Sequence, residues 1–212
     1  MTPNAFVRAL SNATLNDVFN PYRDRCEIFD RADAPQRRRA NLRSFLEALS
    51  ELDVDAVWIA RDLGYRGGRR TGLPLTDEIH LDAFGERYDV SLNRATKGPP
   101  MAERTAAIVW QMLSRIDTPV FLWNVFPLHP YERGEPLSNR CHTRAEREIF
   151  NDMLFTLLAM LQPNRIIAIG RDAQSALSDL GLAIKPVRHP SYGGQTEFID
   201  TISTLYELKK CA

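Results

Sequence analysis

Apolar residues recur at helical spacing at Leu42, Phe45, Leu46, Leu49 and Leu52, and the chain then turns almost wholly apolar in DAVWIA, 55–60. A period near 3.6 predicts an amphipathic helix, and a short apolar run bounded by polar residues predicts a buried strand. The alternation repeats. A helix is expected over Glu103–Ile116, with Ala106, Val109, Trp110 and Leu113 on one face, and PVFLWNVF (119–126) follows as a strand. Thr143 with Glu146 three residues on forms a candidate capping box, opening a long helix that carries Ile149, Met153, Leu157 and Leu161. RIIAIG (165–170) is the third strand, and Asp172 is expected to cap a helix that Gly181 ends. KPVRHP (185–190) is a short fourth strand before a closing helix over 196–208.

Strands alternating with helices, the strands nearly all apolar, predict an α/β fold with a parallel sheet covered on both faces. NRATKGPPMAE (93–103) reads as a surface loop. No repeat, low-complexity segment or linker interrupts the pattern, so a single domain over 1–212 is expected, its core spanning about 40–208.

Ligands of open α/β sheets bind beyond the carboxyl ends of the strands. The first strand ends at Asp62 and the loop GYRGGRRTG. The second carries Asn124 inside an apolar run, and the fourth ends at His189-Pro190-Ser191. Each residue has an ordinary reading alone. Asp62 is compatible with a turn cap, Asn124 with a structural hydrogen bond, and His189 with a buried structural histidine. Three polar groups from three strands converging on one sheet edge point instead to a site.

Charge narrows the choice of ligand. Lysine plus arginine and aspartate plus glutamate both number 27 in 212 residues, so any affinity for phosphate must be local. Arginine clusters at 37–39, at 66–70 and around Arg188. The loop arginines Arg66, Arg69 and Arg70, on a glycine-rich backbone, suit phosphate oxygens. Cys26, Cys141 and Cys211 show no CxxC spacing, which favours a reducing compartment over disulfides. No secretory leader and no membrane-length apolar run is visible, so a soluble cytoplasmic protein without membrane association is expected.

Asp62, GYRGGRRTGLPLTDE, WNVFPLHPY and RHPSYGG, in this order, resemble the uracil-DNA glycosylase superfamily over residues 55–205. The resemblance implies a three-layer αβα sandwich around a four-stranded parallel sheet, and a repair enzyme that flips uracil or a related damaged base out of single- or double-stranded DNA and hydrolyses its N-glycosidic bond. It puts Asp62 and His189 in catalysis. Arg61, Gly64, Leu75 and Asn124 fall among the base-binding positions, Asn124 as the base reader. Ser191 falls on a phosphate contact, and Tyr192 with Gly193 on the DNA-inserting loop.

Departures from the family pattern are Arg61 for Gln or Glu, Leu63 for proline, Leu75 for a stacking phenylalanine, and Gly64 for the tyrosine that excludes thymine's methyl group. Gly64 is therefore expected to leave empty volume beside C5 of the base. The cysteines of the iron–sulfur branch are missing, so no cofactor or metal is expected. The alternative is a non-catalytic nucleobase- or damaged-DNA-binding protein on the same fold. A phosphate-handling enzyme would need a Walker-type lysine or metal carboxylates, and neither motif is present.

Overall fold

A computed structural model describes residues 1–209; Cys211 lies outside the described residues. In chain order the elements are α1 (Pro3–Ser11), β1 (Val18–Phe19), α2 (Ala34–Ser50), β2 (Ala56–Asp62), α3 (Gly68–Thr71), α4 (Leu81–Tyr88), α5 (Arg104–Leu113), β3 (Val120–Phe126) and β4 (His129–Pro130). There follow α6 (Arg144–Glu148), α7 (Asn151–Leu161), β5 (Arg165–Ile169), α8 (Arg171–Asp179), β6 (Lys185–Val187) and α9 (Gln195–Leu205). Four strands form a parallel sheet in the order β3-β2-β5-β6, and the helices flank it as a three-layer αβα sandwich. β1 and β4 pair antiparallel beside it.

Even the edge strand β3 is buried at every residue, as helical cover on both faces requires. Register and alternation assign the faces. Val57, Ile59, Phe121 and Trp123 share one face, where Phe45 stacks on Phe121 at 4.2 Å and Phe6 of α1 meets Trp123 at 5.6 Å. Trp58 points the other way, to Phe198 and Tyr206, and its indole N–H donates to the Tyr206 hydroxyl at 3.0 Å. Ala60, Asp62, Asn124 and Phe126 lie on this second face, nearer the carboxyl end.

Three expectations need correcting. The helix expected from Thr143 breaks between α6 and α7. Its capping box forms, but Phe150 turns inward to meet Phe126 edge-on at 5.3 Å and leaves Ile149 exposed. Asp172 sits in the first turn of α8 rather than at its cap, which is Gly170. The 93–103 segment is tied down rather than free at the surface. Ala95 and Thr96 are buried, and Arg94, the Thr96 hydroxyl and the Met101 N–H all donate to the Glu78 carboxylate. Among the described residues, no helix is long and apolar enough to cross a membrane.

Candidate active site

A cleft of about 990 Å³ opens at the carboxyl ends of β2, β5 and β6. Asp62, the last residue of β2, lines it and accepts from Arg61 Nε at 2.9 Å on Oδ2. His142 Nδ1 approaches the same oxygen at 3.4 Å, its ring stacked on Phe126 at 5.2 Å. Arg61 reaches on to Asp172 at 3.1 Å and to the Cys141 sulfur at 3.0 Å. The carboxylate is thus steered by a guanidinium that also ties β2 to the start of α8.

His189, just past β6, lines the same cleft. The backbone N–H of Ser191 points at His189 Nδ1 at 3.2 Å, and the Ser191 hydroxyl lies 2.7 Å from the same nitrogen. A nitrogen that accepts a backbone N–H carries no proton, so the neutral ring is protonated at Nε2. Burial lowers the His189 pKa from 6.5 to about 4; Arg61 adds to the shift, while Asp62 and Asp172 oppose it. The ring is therefore neutral near pH 7. Its backbone is hemmed in as well, since a Cβ at Gly194 would collide with the His189 carbonyl oxygen.

Asn124 lies on β3 in register with Ala60, one row below Asp62 on the same sheet face, buried beneath the cleft floor rather than among the residues that line it. It is 1% exposed, and among the described residues neither its amide nitrogen nor its oxygen has a hydrogen-bond partner. Leaving a buried polar group unpaired costs about 1–3 kcal/mol. Among the described residues Arg69 likewise buries two unpartnered nitrogens, but it lies over the Phe19 ring, whereas the Asn124 amide sits at the carboxyl end of the sheet, one row from Asp62.

The arginine loop divides. Arg66 is exposed, its guanidinium bonded to the Tyr65 hydroxyl at 2.7 Å. Arg69 and Arg70 are only 1% and 5% exposed, which overturns the expectation that they grip DNA. Arg69 lies over the Phe19 ring at 4.1 Å, and Arg70 lies over Phe29 at 4.1 Å while pairing with Glu78 at 2.9 Å. Both pin the loop to the body of the protein. The exposed cations lining the cleft are Arg171 and Arg188; only the second was singled out by charge clustering.

Tyr192 is 98% exposed on a left-handed backbone (φ 51°), followed by Gly193 at φ 78°. Leu75 lines the cleft, buried, also at positive φ (54°). The volume expected to be empty beside Gly64 is filled. Cβ atoms at Gly64 and Gly67 would collide with the two carboxylate oxygens of Glu103, which itself lines the cleft. Glu103 escaped notice because it reads as an ordinary acidic helix start, and His142 because it reads as the residue before a capping box.

An acid and a neutral histidine line one cleft at the end of a parallel sheet, and a bare amide lies buried one row below the acid; these groups suit a hydrogen-bonding ligand. The model of the Uracil DNA glycosylase superfamily matches residues 68–203, and the chain belongs to that superfamily. The match begins just past Asp62 and includes Asn124 and His189. The crystal structure of wild-type SMUG2 from Pedobacter heparinus is similar with a TM-score of 0.67 at 14% identity, covering 98% of both chains; at that identity the likeness concerns the fold. No curated protein matches the chain.

Proposed function

We propose that the protein is a DNA glycosylase that takes an extrahelical uracil or related base into the cleft and hydrolyses its N-glycosidic bond. The bare amide of Asn124 carries the reading. Its oxygen accepts from uracil N3–H and its NH2 donates to O4; cytosine presents the reverse pattern and leaves both unpaired. The base must leave the stack first, because the bond is inaccessible inside a duplex.

Cleavage places positive charge on the sugar and negative charge on the departing base. Asp62 stabilises the sugar cation and orients the water that attacks C1′. His189 Nε2–H donates to the base O2, where the leaving anion's charge develops. Its lowered pKa makes it a neutral donor, so it strengthens the departure without having to gain a proton. Exposed Arg66, Arg171 and Arg188 hold phosphates, with Ser191 and the outward Tyr192 at the DNA-facing rim.

The Arg61–Asp62 ion pair favours a second reading, because it offsets the charge Asp62 would offer the sugar. On that reading the protein binds the base without cleaving it. Oligonucleotides carrying a single uracil, thymine, hypoxanthine or hydroxymethyluracil, incubated with protein and then treated with alkali, separate the two. Strand breaks that Asp62→Asn abolishes support the glycosylase. Intact strands that are nevertheless bound selectively support the binder.

A further inference from the structure

Glu103 has no role in the chemistry above, yet the fold builds a place for it. Its backbone N–H donates to the buried Asp77 at 2.6 Å, and Asp77 is itself held by the Ile79 and His80 N–H groups. Two side-chain-free positions, Gly64 and Gly67, admit its carboxyl group against the loop that leaves Asp62. With Gly64, Gly68 and Leu75 it forms one wall of the cleft, and its side chain makes no hydrogen bond or ion pair among the described residues. A carboxyl group fixed at its backbone and turned, without a protein partner among the described residues, into an open cleft is positioned for a ligand.

We infer that Glu103 is a second base-reading group, whose neutral carboxyl donates a hydrogen bond to an oxo oxygen of the base held beside Asp62. The charges around it favour that form. Burial pushes the Glu103 pKa up to about 7; Asp77 from the 76–78 turn raises it, Arg66 from the β2–α3 loop opposes, and Asp62 raises it further. His80 shares Asp77 at 2.6 Å, and Arg104 is the adjacent exposed cation on α5. An ionised Glu103 would instead face the oxo oxygen as a second acceptor.

The inference rests on the glycosylase reading for its ligand, and its test separates the two. Excision of uracil from a single-stranded oligonucleotide is followed from pH 6 to pH 9, with fluorescence anisotropy of the same oligonucleotide in parallel. Wild type should lose about tenfold or more across that range, as one group deprotonates. Glu103→Gln, a permanently neutral donor, should keep its activity at pH 9, a gain that misfolding cannot imitate. Glu103→Ala should be slow throughout. If Glu103→Gln declines with pH in parallel with wild type, the inference is overturned. If no variant cleaves at any pH, the glycosylase reading falls. The inference then stands or falls on whether the alkaline loss of binding disappears in Glu103→Gln.

Discussion

The Ser191 backbone N–H and hydroxyl both converge on Nδ1 of His189, at 3.2 and 2.7 Å. The backbone contact fixes the tautomer, and the hydroxyl adds to it. Removing the hydroxyl alone should therefore weaken catalysis without abolishing it. Ser191→Ala is expected to slow excision about two- to tenfold, the worth of one neutral hydrogen bond of about 0.5–1.5 kcal/mol. Single-turnover rates at pH 7 check this, with affinity for intact DNA showing whether Ser191 also holds phosphate.

Asn124 sets activity against stability. Asn124→Leu keeps the branching in a somewhat larger side chain and removes both orphaned polar atoms. It should raise unfolding free energy by about 1–3 kcal/mol while abolishing uracil selectivity. Urea melts and excision assays on one preparation test both effects. If Asn124→Leu and the smaller Asn124→Val are both destabilised, the amide is satisfied in solution; destabilisation of the leucine variant alone reports overpacking.

The buried arginines predict a separation of effects. Arg70→Ala leaves Glu78 short of one partner and should cost about 3 kcal/mol, the low end for breaking a buried pair, because Arg94, Thr96 and the Met101 N–H remain. Arg66→Ala with Arg188→Ala should leave the melt unchanged and flatten the salt dependence of DNA binding by about two phosphate contacts. An unchanged salt slope would remove these two residues from the DNA interface.

Two titrations pull stability in opposite directions. His189 stays neutral in the folded protein down to about pH 4, whereas the unfolded chain protonates it below 6.5, so its contribution is present above pH 6.5 and lost as pH falls towards 4. Glu103 keeps its proton in the folded protein up to about pH 7 but loses it above 4.5 when unfolded, so stability falls as pH rises through that window. Glu103→Gln should consequently melt higher than wild type at pH 8 and like wild type near pH 4. His189→Gln should lose less stability than wild type between pH 6.5 and 4.

The sheet was legible because apolar runs such as VFLWNVF admit few alternatives, and the polar residues at or near strand ends, Asp62, Asn124 and His189, stood out against them. The loop arginines misled. Composition showed cations on a flexible backbone, but the partners that bury them, Phe19, Phe29 and Glu78, come from other parts of the chain. α1 was missed because Phe6, Val7 and Leu10 make only two turns of pattern, too short to stand out locally, yet they pack into the core. Glu103 depends on contacts of the same kind, since Gly64 and Gly67 lie far from it in sequence.

That contact makes positions 64 and 103 conditional on each other. Gly64→Tyr cannot act as a simple insertion of a ring beside the base, because the first atom of its side chain needs the space where the Glu103 carboxyl sits. The evicted carboxyl must find water or a new partner, so the single change carries two perturbations. Paired with Glu103→Ala, the same tyrosine has room. The double variant should be better folded and more active than Gly64→Tyr alone, a non-additive result of the kind expected for residues that share one slot. Within the superfamily, a bulky residue at the first position and a long acid at the second should exclude each other, and a lineage moving from one wall to the other must pass through a sequence small at both.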